Sequence, residues 1–247
     1  MATIAAPAAD RVSPERRFYR RMALLLGVLV FLGFAPSFYL RGIVPAYPRP
    51  NPSLPLSVIL HGGLFTLWMA VFVAQTQLVA AGRRDIHMKL GAVSMVLAIS
   101  LIPVMYMTAV WQVARANQPP FTTALDWTAL PLAAIPAFAV MIWQGWKQRR
   151  NPQWHKRMML GAAMAVALGP SFGRLPLAPP VTAGFVAQMM LTLLFFIPLF
   201  RWDKSSLGKT HPATWFVFGI YAISTIIPVT LIATGSWAPV ARHLPGI

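Results

Sequence analysis

The chain has 247 residues, 57% of them hydrophobic and 11% charged, with a net charge of +16 and no cysteine. A soluble domain carries roughly a quarter charged residues, so this composition belongs to the membrane class. The missing thiols exclude disulfides, thiolate metal sites, Fe–S clusters and covalently attached c-type haem.

Residues 1–21 are rich in Ala, Pro and Arg and are expected to form a disordered basic cytoplasmic tail. The first apolar run lacks a small-residue cleavage site and reads as an uncleaved signal anchor. Seven such runs, at about 22–40, 56–81, 89–112, 128–146, 158–174, 181–200 and 213–235, each approach the roughly 20 residues needed to cross a bilayer. The expected fold is an all-α membrane protein, a single bundle of seven transmembrane helices over 22–237 with a short extracytoplasmic tail at 238–247. Of 21 basic residues, Arg41, Arg49, Arg115, Arg174 and Arg242 fall on the outer face of this scheme, which leaves 16 on the cytoplasmic face and predicts an N-in/C-out orientation. The charge therefore records topology, and nucleic acid is not an expected partner.

After the first span the chain divides into three hairpins. Each turns through a short basic loop and restarts beside a histidine, in "GRRDIHMKLG", "RRNPQWHKRMMLG" and "SLGKTHPATW". His87, His155 and His211 thus take corresponding places at the inner ends of spans 3, 5 and 7, which hints at parallel repeats. Three imidazoles at helix starts can ligate haem b or a divalent metal, with Met158 and Met159 as soft donors nearby. The competing reading is that they cap helices and meet headgroups. Span 5 repeats small residues at Gly161, Ala165 and Gly169, so it is expected at the centre of the bundle.

In span 2, "LHGGLFTLW" opens a stripe of His61, Trp68 and Gln75, spaced seven apart and expected to face the interior. His61 is either bonded to a neighbouring helix or part of an outer-leaflet pocket with Tyr39, Asp126 and Arg174, Gln188 lying below. None of Asp10, Glu15, Asp85, Asp126 and Asp203 lies within a predicted span, which disfavours carboxylate proton relays. "GPSFG" at 169–173 matches a nucleophile elbow but sits in a span, where Ser171 with His61 and Arg174 would make an intramembrane hydrolase.

The segments "GFAPSFYL" (33–40), "LHGGLFTLWMAVFVAQTQLVAAGRRDIHMKLG" (60–91), "WHKRMMLGAAMAVALGPSFGR" (154–174) and "GKTHPATW", with "GSWAPVARHL" after it, resemble a family of uncharacterised bacterial seven-span inner-membrane proteins. The histidine spacing and H-x-R-M are distantly similar to membrane families related to a cytochrome-oxidase assembly factor. The nearer family usually reads H-R-R-L-G where this chain has His87-Met88-Lys89-Leu90-Gly91, and often has an arginine after a proline where this chain has Pro228-Val229-Thr230. The resemblance implies a bacterial cytoplasmic membrane location, the lipid bilayer and a respiratory complex as partners, and Tyr39, His61, Gln75, His87, His155, Arg174 and His211 as candidate residues. It implies no particular activity. Three functions stay open: a non-enzymatic haem- or metal-binding protein in respiratory assembly or redox chemistry, a binder or transporter of a small amphipathic or quinone-like molecule, and the Ser171/His61 hydrolase.

Overall fold

The computed structural model describes residues 12–45, 51 and 53–247. Among these residues there is no strand, only an isolated bridge between Arg41 and Val44. Six helices are long and apolar enough to cross a membrane: α1 (Pro14–Tyr39), α2 (Leu56–Ala80), α3 (Arg84–Arg115), α4 (Ala124–Lys147), α6 (Thr182–Leu207) and α7 (Pro212–Thr234). Their outward faces carry bare aliphatic and aromatic side chains, Val93 (68% exposed), Val96 (70%) and Trp143 (64%) among them, as a lipid-facing surface requires. The chain is a multi-pass helical membrane protein.

Between α4 and α6 lies α5 (Pro152–Phe172), which falls outside that apolar set because it lives by other rules. The helices α1, α2, α3, α4, α7 and α6 follow one another, successive pairs packing together, and α5 packs against α1, α4, α7 and α6. Phe18 of α1 stacks on Trp202 of α6 (centroids 4.8 Å apart) to close the ring. More than half of α5 is buried, so protein rather than lipid solvates its polar groups. Gly161 explains the closeness: a Cβ there would lie 2.3 Å from Val217 Cγ1 of α7 and 2.8 Å from Met141 Sδ of α4. Helix α5 is thus packed within the bundle rather than at its edge.

The other small residues of that stripe do something else. Gly169 has nothing within 4 Å of where its Cβ would be, and it borders open space together with Ala165. The small face of α5 therefore seats neighbouring helices at one end and hollows the bundle at the other.

One local feature differs from expectation. Helix α1 begins at Pro14, not at 22, because Ser13 caps it by accepting the Arg16 N–H at 3.4 Å and Pro14 occupies the first turn, where no N–H is needed. Residues 14–21 are thus helical rather than disordered, and 1–11 lie outside the described residues. At its other end α1 widens into a π turn over Ala35–Tyr39, where Leu40 N–H reaches Ala35 O at 2.7 Å. Pro103, Pro136, Pro170 and Pro228 lie inside helices, and a 3-10 stretch (Thr192–Phe196) interrupts α6 just before Pro198.

Candidate functional site

The hollow beside Gly169 is a cavity of about 420 Å³ at the end of the bundle away from the short basic turns, and all seven helices contribute to its wall. The π turn of α1 brings Phe38 and Tyr39 to it. Gly62 makes room for Phe38, whose ring carbon would sit 2.6 Å from a Cβ at that position. Tyr39 hydroxyl and Thr66 hydroxyl share a 2.8 Å hydrogen bond, and Thr66 donates back to Gly62 O at 2.7 Å. This locks α1 and α2 together one turn from His61.

His61, partly buried, lines the cavity, its ring 4.7 Å from Phe65, and its Nδ1 is buried without a hydrogen-bond partner. Arg174, just past α5, lays its guanidinium over the Phe34 ring at 4.1 Å and donates to Pro170 O at 2.8 Å. Tyr39, His61 and Arg174 therefore line the same cavity.

Asp126 and Gln188 do not join them. Asp126 accepts the backbone N–H groups of Trp237 (3.1 Å) and Ala238 (2.7 Å) and the Thr123 hydroxyl (2.7 Å), clamping the C-terminal turn onto α4. Gln188 donates to Phe172 O and Leu175 O (2.9 Å), carbonyls that also accept the N–H groups of Leu175 and Leu177, and so ties α6 to the turn after α5. Both are committed to backbone groups rather than to the cavity.

Ser171 is fully buried, sits against Gly33, where a Cβ would meet its Cα at 2.7 Å, and is not part of the cavity wall. No Ser171–His61 dyad is formed.

Sequence reasoning missed the contribution of α3. Met105, Thr108, Ala109, Gln112 and Arg115 line the cavity at spacings of three and four. Polar residues at helical spacing inside an apolar run were a usable signal. Arg115 donates through Nη2 to the carbonyls of Asn51 (3.2 Å) and Ser53, tying the α1–α2 connection over the cavity, while its Nε is buried without a partner. Arg41 lies on the same wall, close enough to Arg115 to act on it electrostatically.

At the basic end, the three histidines do not meet. His87 and His155 are each the fourth residue of their helix, and their rings lie 6.2 Å apart and nearly perpendicular. His155 Nδ1 is hydrogen-bonded to Gly145 O at 2.8 Å. His211 instead precedes α7 as its N-cap, four positions short of the equivalent place, or about 6 Å along a helix axis. Its Nδ1 accepts the Ala213 N–H at 3.1 Å, and its ring packs against Trp154. Among the described residues no group of three or more His, Asp or Glu side chains is placed to hold a metal ion.

What α5 offers at this end is a charged network. Arg157 and Asp203 are both fully buried and form an ion pair through Arg157 Nη2. Arg157 also donates to Thr214 Oγ1 (3.0 Å) and to Gln153 O and Oε1 (2.8 and 2.7 Å). Asp203 Oδ2 accepts the His211 N–H (2.9 Å) and the Thr214 hydroxyl. Lys156 pairs with Glu15, so α1, α5, α6 and α7 are stitched together.

The interior stripe of α2 is half realised. Trp68 is buried edge-on to Phe138 at 5.1 Å, and Gln75, close to Gly91 of α3, keeps its Oε1 buried without a partner. Family models, curated proteins and solved structures show no match to this chain.

Proposed function

We propose that the protein is a seven-span, N-in/C-out, non-enzymatic protein of the bacterial cytoplasmic membrane that binds or carries a small amphipathic molecule in the cavity between its helices. One observation carries this reading: a cavity of about 420 Å³, within the size range of small-ligand sites, is walled mainly by apolar side chains and brings Tyr39, His61 and Arg174 together, with a buried His61 Nδ1 that has no protein partner. A buried polar atom next to an open volume favours a ligand that brings its own hydrogen-bonding group. The haem or metal reading has less support, because only two of its three imidazoles come together and the third is occupied as a helix cap.

The test is photolabelling in nanodiscs with a dodecanol bearing a diazirine, mapped by peptide mass spectrometry. Adducts on Met69 and Met105, both on the cavity wall, are expected, and Gly169→Leu, which fills the open space, is expected to remove them. Adducts confined to lipid-facing residues such as Val93 and Val96 would sink the reading.

A further inference from the structure

We infer that the ligand of this cavity is an amphipathic anion, its acidic head held by the Arg41–Arg115 end of the wall and its tail among the Met and Phe side chains. The inference rests on the cavity reading above and concerns the charge of what the cavity takes.

Arg41, His61, Arg115 and Arg174 all line the cavity, and among the described residues no Asp or Glu does. The acids are committed elsewhere. Glu15 pairs with Lys156, Asp85 with Arg83 and Asp203 with Arg157. Asp126 is taken up by the backbone of Trp237 and Ala238. Asp10 lies outside the described residues.

Arg41 and Arg115 are thus neighbouring like charges with no carboxylate beside them on the wall, and Arg115 Nε is a buried donor without an acceptor. Charge repulsion between guanidiniums at a partly desolvated site is relieved by an anion, which also supplies the missing acceptor. A cationic head at the same place would meet uncompensated repulsion. The remainder of the wall, including Phe34, Phe38, Phe65, Met69, Met105 and Met189, suits a hydrocarbon tail. At a water-like ~30 Å³ per non-hydrogen atom, the volume holds a chain of about a dozen carbons with a small head. Carboxylate and phosphate heads share the needed chemistry, the first pointing to fatty acids and the second to lipid phosphates.

The experiment uses the full chain in zwitterionic nanodiscs and measures how well unlabelled dodecanoate, dodecyl phosphate, dodecanol and dodecyltrimethylammonium suppress cavity photolabelling. Dodecanoate or dodecyl phosphate is expected to compete at concentrations at least about ten-fold lower than the alcohol and the ammonium, and the better of the two identifies the headgroup source. Arg41→Gln with Arg115→Gln is expected to abolish that preference, so that the anions compete no better than dodecanol. Arg115→Lys, which keeps the charge, is expected to retain it and so to separate charge from the tether to Asn51 and Ser53. Equal competition by the ammonium, or an anion preference that survives the double substitution, overturns the inference while the cavity reading stands. Absence of any cavity labelling overturns both.

Discussion

His211 and His155 both stand at the start of a helix, yet their surroundings give them different work. His155 is inside the first turn of α5, where its Nδ1 bonds to a carbonyl of α4. His211 lies one turn further out, where the open N–H groups of α7 need an acceptor and its ring nitrogen provides one. Only the neutral ring can accept there. Burial first, and then the positive charge of Arg157, hold the His211 pKa below its ordinary 6.5, with Asp203 opposing. The folded state therefore binds this proton less readily than the unfolded chain. The cap's contribution is present above about pH 6.5 and is lost as pH falls below that value. His211→Asn keeps a capping oxygen and does not titrate, so the gap in thermal midpoint between it and the wild type is expected to shift in favour of the variant from pH 7.5 to 5.5. His211→Ala is expected to cost about 1 kcal/mol at pH 7.5. A gap between His211→Asn and wild type that ignores pH would show that the ring nitrogen is not the cap.

Helix α5 combines what the sequence makes plain with what it hides. Its Gly161, Ala165 and Gly169 announce a helix packed within a bundle, and Gly161 meets Val217 and Met141 as close packing demands. Arg157 and Asp203, in contrast, read as ordinary basic-end charges, because a pairing across 46 residues depends on how α5 and α6 settle against one another. Likewise Ser13-Pro14 carried a capping signal for α1 that the Ala/Pro/Arg composition of the tail obscured. The buried pair makes a sharp energetic prediction. Removing one partner strands a charge with no water to solvate it, so Arg157→Met or Asp203→Asn is expected to destabilise the bundle by about 3–5 kcal/mol. Replacing both by apolar residues leaves no orphan charge and is expected to recover most of that loss. Unfolding in mixed SDS micelles measures this. A double variant as unstable as the sum of the singles would mean the two residues act independently.

For the whole molecule, apolar run length predicted six of the long helices with little ambiguity, since lipid-exposed helices must be apolar along their length. The cavity was legible only in part. Tyr39, His61 and Arg174 stood out as polar residues near one depth, whereas Asp126 and Gln188 are committed to backbone groups of the C-terminal turn and of the turn after α5, which no spacing rule reveals. The crossing of α5 and the orientation of the bundle turn on where the basic loops lie, and a cysteine-free chain allows a direct test. Arg150 and Leu177 flank α5, Ser206 and Ser236 flank α7, and all four are exposed. Each is changed singly to cysteine and exposed in spheroplasts to a membrane-impermeant maleimide. With seven crossings and the N-terminus inside, Leu177→Cys and Ser236→Cys react at once, while Arg150→Cys and Ser206→Cys react only after permeabilisation. The reverse pattern would invert the molecule and place the cavity toward the cytoplasm. Reaction of Arg150→Cys and Leu177→Cys from the same side would mean that α5 does not cross, and the cavity would then border a bundle of six spans.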